Sequence, residues 1–575
     1  MSRTYHRRDL LSRSLKGAAL RAGLGAGLGA GLGAGGGVLE ACGASGSNGT
    51  SSTPGATDAN GTPLQLLAGP IDTNKARPGG SLAIGTWSEV NALSPPQARW
   101  DSTGYLYGNA LFDTLVQIGA DGLAHPYVAK SVTPNADHTS FSILLRPGLG
   151  FNSGAPCDAA PVFNSLEAVV HGCITGQSLK PITSITSKGT DTVVVKASEP
   201  WPAFPSYLAG RLGYICSPKM LASANQGATT PDGTGPFSLV DWTPNSHLIA
   251  KRNPRYWQKG LPYLDQITFK PIIDNEAREN ALRSGSVQLI HCQYPRVIKD
   301  FFGDESFQIV LDKLPPRAEP DVDFIMLNVA MPPLDDIDMR RALAMSINRT
   351  DLLDTYGTGI AAPATGPFQP GSLWYSATDY PSYNPAAAKE LVDRYTATKG
   401  SPPAANLTTI VGPAYSIMID IVQANWQKIG VNCQVNQAEF AQFLTNVVVG
   451  DYQAATFEQF GATDPDQNYI WWSTDTYAPP GKISLNMARN RDAALQAALN
   501  DGRASTQIEA RVAAYQEVAR RLAADLPYLW TGKAYWAATA AEGVVGLTNQ
   551  KLPDGATGIG FANGTFLVHD LGLTG

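Results

Sequence analysis

The sequence predicts an α/β protein whose two halves differ in character. Three observations carry that expectation. Alternating, strand-like runs dominate the first half of the body. A helix, strand, helix, strand succession dominates the second, which is the pattern of a sheet covered by helices. The 575-residue chain also leaves roughly 490 residues beyond an N-terminal tether, enough for two or three lobes with cores of their own.

The chain opens on a segment outside this body. Arg7-Arg8-Asp9-Leu10-Leu11 is a twin arginine followed by two leucines, and Arg13, Lys16 and Arg21 add positive charge. Tandem Ala-Gly-Leu-Gly units follow. Glycine is a poor helix former with little transfer energy, so this run is a weak membrane span. A phosphate loop would need a preceding strand and a Lys-Ser/Thr pair, and neither is present. A basic start, a weakly apolar middle and a small-residue end make residues 1–41 a secretory signal of twin-arginine-like type. Leu39-Glu40-Ala41-Cys42-Gly43 resembles a bacterial lipobox, which implies lipidation of Cys42 as the first mature residue. Residues 42–80 then read as a Gly/Ser/Thr/Pro tether that cannot bury a core. No later run is long and apolar enough to span a bilayer.

The formal net charge is −6. The chain beyond Ala41 is more acidic still, because Arg3, Arg7, Arg8, Arg13, Lys16 and Arg21 lie before it against Asp9 and Glu40. An acidic body without a basic block argues against nucleic acid as a partner. Cys157, Cys173, Cys216, Cys292 and Cys433 remain after Cys42, an odd number, so at least one thiol should be free. The run between Cys157 and Cys173 reads as a helix capped by Asp158, which would hold those thiols roughly 20 Å apart, too far to bridge. Connectivity otherwise stays open.

Along the body, SLAIGTW from Ser81 alternates as a strand leaving a Gly-Gly hinge. TSFSILLRPGLGF from Thr139, DTVVVKAS from Asp191 and LDQITFKPI from Leu264 are further strands. Helical periodicity then takes over. DMRRALAMSINRTDLLDTY from Asp338 places Met339, Leu343 and Ile347 on one face. Asn384-Pro385 caps and starts the next helix. SIMIDIVQANWQKIG puts Ile417, Ile421, Trp426 and Ile429 on one stripe and stops at Gly430. VNCQV alternates as a strand, EFAQFLTNVVVGD returns to helix and YQAATF to strand. A last helix, with Val512, Tyr515, Ala519 and Leu522 on one face, runs into the strand-like PYLWTGKAYWAATA.

Catalytic patterns are scarce. The sequence has no Gly-x-Ser-x-Gly elbow and no His-Glu-x-x-His. His171 with Cys173 and His291 with Cys292 are the Cys/His neighbours, but adjacent residues on a strand point to opposite faces and share no metal site easily. Asp464-Pro465-Asp466 beside Trp471-Trp472 brings a glycosidase to mind. Such an enzyme needs carboxylates facing each other across a bond, and two residues apart on one turn is the wrong arrangement.

Several blocks resemble one family. DGLAHPYVAKSVTPNADHTSFSILLRPGLGFNSGAPCDAAPV carries Pro-x-x-Ala, Leu-Arg-Pro-Gly and Phe-x-x-Gly-x-Pro. The next block carries Gly233-Thr234-Gly235-Pro236-Phe237, Trp242, Arg252-Asn253-Pro254, Tyr256-Trp257 and Leu264-Asp265. EARENALRSGSVQLI, MRRALAMSINRTDLL and DPDQN follow in order. Over residues 81–550 the chain thus resembles the family 5 extracellular solute-binding proteins, the dipeptide-, oligopeptide- and nickel-binding receptors of ABC importers.

The resemblance implies a two-lobed, periplasmic-binding-protein-like (Venus-flytrap) fold with two crossing strands. The chain would cross near 324–328 and return near 528–535, giving lobe one as 81–326 plus 528–575 and lobe two as 327–527. It implies a substrate-binding lipoprotein on the extracytoplasmic face of the cell membrane, monomeric, without cofactor, metal or enzymatic activity. It would capture a peptide-like solute by hinge closure and deliver it to ABC permease subunits. A non-peptide solute such as an oligosaccharide or metal chelate, or a surface lipoprotein or enzyme reusing the fold, is the alternative.

Prolines and glycines of the signature blocks fix turns, so ligand contacts are expected from cleft loops instead. These are Trp87 with Ser88 and Glu89, Trp374 with Tyr375, Tyr415, and the loop of Gln459, Phe460, Gly461, Thr463 and Asp464; core packing is the alternative for each aromatic. Peptide binders of the family commonly hold the ligand's amino group with an aspartate three residues before the acidic member of the Asp-Pro pair. Gly461 stands there, and the nearest carboxylates are Glu458 and Asp464. A buried ammonium without a counter-charge costs several kcal/mol, which disfavours a simple dipeptide. Gly461→Asp should then favour ligands with a free amine.

Overall fold

The computed structural model describes residues 76–574 except 313 and 549, and omits the side chains of 174 and 413–415. The expectations for the signal, the lipobox with Cys42 and nearly all of the tether lie outside the described residues.

A parallel core starts the first sheet. Ser81–Thr86 pairs in parallel with Gln266–Pro271 on one edge and Leu289–Cys292 on the other. The antiparallel hairpin Phe237–Thr243 and His247–Arg252 extends one side, and Ala537–Ala541 with Phe307–Leu311 extends the other, to seven strands. Leu82, Ile84, Ile267, Phe269 and Leu289 share one face by register and are buried on it. A separate antiparallel sheet orders Ala129–Pro134, Ser140–Leu145, Thr192–Ala197 and Ile182–Lys188. The helix Ala159–Gly172 covers it, capped by Asp158, whose carboxylate accepts from the Ala160 N–H at 3.1 Å.

The second large sheet orders Ala362–Pro363, Tyr528–Lys533, Val322–Leu327, Ala454–Gln459, Leu407–Ile410 and Val435–Ala438. Leu407–Ile410 runs parallel to both of its neighbours, and the helices Pro413–Lys428 and Phe440–Val449 make the crossovers. The chain passes from the first large sheet to the second through residues 312–321 and back through 534–536. Two α/β bodies joined by two such passages make a two-lobed molecule.

Three local expectations are corrected. The run from Asp338 is two helices, Ile337–Ser346 and Arg349–Thr355. Ile347 leaves the first at φ −92°, ψ 113°, and Asn348 caps the second by accepting from the Thr350 and Asp351 N–H groups at 3.2 and 3.4 Å. In Pro413–Lys428 the fully buried residues include Met418, Val422 and Trp426, while Ile417 stands 40% exposed. The strand expected at 431–435 lies at Val435–Ala438, with Asn432 making an isolated bridge to Ala404. Cys157, Cys173, Cys216, Cys292 and Cys433 are all buried and unpaired. Among the described residues no helix is long and apolar enough to cross a membrane.

Candidate functional site

Open α/β sheets take ligands at the carboxyl ends of their parallel strands. Here those ends from the two lobes meet at the interlobe passages. Trp87 and Ser88 follow Ser81–Thr86, Gln293 follows Leu289–Cys292, and Phe460 and Gly461 follow Ala454–Gln459. Gln293 Nε2 joins the lobes by donating to Glu458 Oε2 at 3.1 Å and to Asp321 Oδ2 at 3.2 Å.

Trp87 and Trp536 form the aromatic wall. The rings meet edge-on at 5.5 Å, and Trp87 Nε1 donates to Ser102 Oγ at 2.9 Å. Trp536 stacks on His291 at 5.5 Å and donates through Nε1 to Asp321 Oδ2 at 2.5 Å. Ser88 Oγ donates to Asp101 Oδ2 at 2.5 Å on the lobe-one side.

Carboxylates gather behind this wall. Asp323 and Glu458 stand directly opposite in the antiparallel register, and Asp321 lies two residues before Asp323 on the same chain. The hydrogen bonds reaching Asp321 and Glu458 come from neutral donors: Gln293, the Trp536 indole and the Gly461 N–H. Burial pushes the carboxyls of Asp312 and Asp323 up to about 7, with the charge of Asp321 adding to each and Lys533 opposing at Asp312. Burial also holds Asp321, Glu458 and Asp101 above the usual carboxylate range. His291, beside them, is pushed down to about 3 by burial and by Arg278, and is neutral.

A pH dependence of stability follows. A carboxyl whose pKa rises on folding stabilises the fold fully below about pH 4, and that stability is lost as pH rises through about 7. His291 and the buried His569, both depressed, act oppositely as pH falls below about 6.5. The raised carboxyls outnumber them, since Asp113 is also pushed up to about 7 by burial. The ligand-free protein is therefore expected to melt a few degrees lower at about pH 7.5 than at about pH 5, as read by calorimetry.

The remaining expected site residues divide. Phe460 is 39% exposed and packs near Phe457 and Trp471. Gly461 gives its N–H to Asp321, and a Cβ there would fall 2.3 Å from Asn563 Cγ. Asn563 thus stands against the position where the resemblance expected an aspartate. Gly461→Asp is accordingly expected to disturb the contact with Asn563 and lower the melting temperature, rather than simply to add an amine anchor. Asp464 is committed elsewhere: both its oxygens bind Arg511, at 2.6 and 2.9 Å, and Oδ1 caps the Asp466 N–H at 3.0 Å. Thr463 donates its N–H and Oγ1 to Gln467 Oε1 at 2.9 and 3.2 Å. Gln459 is buried and points to Pro367, whose carbonyl accepts from Nε2 at 3.3 Å.

Trp374 is not at the strand ends. It is wholly enclosed, donates Nε1 to the Arg317 carbonyl at 2.8 Å and meets Tyr515 edge-on at 5.4 Å, so it ties an interlobe passage to the core of lobe two. The side chain of Tyr415 lies outside the described ones. Sequence reasoning passed over Asp321, Asp323, Gln293 and Trp536. The readable signal was an aspartate inside the otherwise apolar strand Val322–Leu327, a position acids rarely occupy without a reason.

A second interlobe contact lies at Asp466, which is fully buried. Trp201 Nε1 donates to Oδ2 at 2.6 Å and the Tyr207 hydroxyl at 2.9 Å, both from the lobe-one side, while Arg503 Nε meets Oδ1 at 2.8 Å.

Comparison with known proteins adds the following. Residues 124–479 match the model of the bacterial extracellular solute-binding proteins, family 5, middle part. The glutathione-binding protein GsiB of Pectobacterium atrosepticum is 27% identical over 430 residues, 73% of this chain and 78% of that protein. Among solved structures, the periplasmic binding protein DppA of Helicobacter pylori, in complex with the peptide STSA, superposes with a TM-score of 0.75 at 20% identity, covering 87% of this chain and 99% of that one. AgaA of A. tumefaciens R10, in complex with agropinic acid, gives 0.74 at 24% identity, covering 86% and 99%. At these identities the structural likeness is one of fold.

Proposed function

We propose, from the premise that the chain belongs to the family 5 bacterial extracellular solute-binding proteins, that it captures a peptide-like solute by hinge closure and presents it to the membrane subunits of an ABC importer. The observation that carries the reading is the meeting of parallel strand ends from both lobes at the interlobe passages, with Gln293 reaching Glu458 and Asp321. A peptide-like ligand is favoured by GsiB, named for binding glutathione, and by the DppA complex with a peptide. In place of the 81–326 plus 528–575 and 327–527 that the resemblance implies, we take lobe one as 81–311 plus 537–575 and lobe two as 322–533, because Val322–Leu327 and Tyr528–Lys533 share one sheet. Trp87, Phe460 and the Gly461 turn are the expected residues retained as lining the cleft. The proposed action makes and breaks no bond.

Native mass spectrometry of the gently purified chain tests this reading. A small solute should be retained noncovalently at one per chain and released unchanged on denaturation. Conversion of the solute during incubation would overturn it.

Export by the twin-arginine route and anchoring through a lipid on Cys42 complete the proposal. Cys42→Ser is expected to move the protein from the membrane to the soluble fraction with ligand binding intact, because a polar tether has no affinity for lipid. Retention on the membrane would refute the anchor.

A further inference from the structure

We infer that the solute is a cation with an apolar body, its positive group held by Asp323, Glu458 and Asp321 at the hinge and its apolar part by Phe460, Phe440, Val411 and Ile273. The inference rests on the solute-binding reading and narrows it to a ligand class.

The first observation is electrostatic. Like charges directly opposite on neighbouring strands are destabilising, yet Asp323 and Glu458 occupy such a pair, with Asp321 beside them. Their hydrogen-bond donors are all neutral, so the protein supplies no cation to offset them. Asp101 adds a fourth carboxylate acting on Glu458 from the other lobe. Lys533 acts on Asp312 and Glu319, beside this group.

The second observation is an orphaned buried oxygen. Asp312, only 8% exposed, accepts from the Trp536 N–H through Oδ1, while its Oδ2 has no hydrogen-bond partner. Trp536 carries Asp312 at its backbone and Asp321 at its indole, so both acids belong to one junction. A buried acceptor left unmatched is costly unless something donates to it.

The third observation is apolar and independent of charge. Four parallel strands are each followed within two residues by an exposed apolar residue: Ile273 at 67%, Val411 at 49%, Phe440, the first residue of its helix, at 62%, and Phe460 at 39%. Exposed apolar residues gathered at the ligand end of two sheets mark a binding surface. Phe460 connects the two features, since it lies between Glu458 and Gly461 in the chain, and the Gly461 N–H binds Asp321. The carboxylates stand on an interlobe passage, at Asp321, and on two neighbouring strands of lobe two, not at Gly461, so negative charge is present beside the position where the resemblance expected it.

The purified full chain is incubated with a pool of short peptides from a casein digest, either untreated or acetylated at every amine. Retained peptides are identified by mass spectrometry. From the untreated pool, peptides bearing leucine, valine or phenylalanine should be enriched. Acetylation should weaken retention by about tenfold or more, the loss expected when buried carboxylates lose a charged partner. The double variant Asp323→Asn/Glu458→Gln should bind both pools alike. Equal retention of both pools by the unaltered chain would overturn this inference while leaving the peptide reading intact. Retention from neither pool would overturn the peptide reading itself, and the inference with it.

Discussion

Replacing Asp466 with alanine is expected to destabilise the fold by about 3–5 kcal/mol, the cost of removing one member of a buried ion pair. Arg503 is 3% exposed, and its Nε hydrogen bond goes to Asp466 at 2.8 Å. Its guanidinium also lies 3.6 Å over the Tyr469 ring, and Nη2 already lacks a partner. Without the carboxylate the buried cation keeps the Tyr469 and Trp201 rings and the more distant charge of Glu199. Trp201 loses its acceptor at the same time, while the Tyr207 hydroxyl keeps its bond to the backbone carbonyl of residue 466 at 2.7 Å. Urea denaturation measures the loss. The double variant Asp466→Ala/Arg503→Leu should recover part of it, because the uncompensated charge is then gone. A single variant within about 0.5 kcal/mol of the unaltered chain would show the pair to be dispensable. Because Trp201 and Tyr207 come from the other lobe, ligand affinity should fall as well.

Trp374→Ala is expected to cost a further large amount, about 3–5 kcal/mol, for a fully buried aromatic in a core that can relax only in part. The indole meets Tyr515 edge-on, has Arg511 over its face at 5.3 Å and holds the Arg317 carbonyl. Trp87→Ala should behave differently. That ring is half-buried beside Trp536, so its loss should weaken ligand binding more than stability. Thermal melts and calorimetric titration of the two variants separate the roles. Equal effects on both quantities would mean that burial fails to distinguish core from cleft here.

Much of the fold was legible because local signals agreed with one another. Leu82 and Ile84 alternate inward as SLAIGTW predicts, and Asn384 caps Pro385–Lys399 by accepting from the Ala387 N–H at 3.1 Å. The break at Ile347 was written in Asn348 followed by Asp351, a capping pattern overlooked because the apolar period ran through it. The stripe on Pro413–Lys428 held at Trp426 and Ile429 but slipped by one position at Ile417 and Ile421, because an apolar-rich helix offers two adjacent faces and packing buries Met418 and Val422 instead. The candidate site was harder. Strand ends located Trp87 and Phe460, but nothing local shows that Trp374 is enclosed or that Asp464 pairs with Arg511. Such partners lie far along the chain, and only the folded arrangement brings them together.

Closure of the two lobes on a solute is tested most directly by small-angle X-ray scattering of the full chain, titrated with the untreated peptide digest. The radius of gyration should fall and then level off as one peptide binds per chain. An unchanged radius while peptide is demonstrably bound would contradict hinge closure.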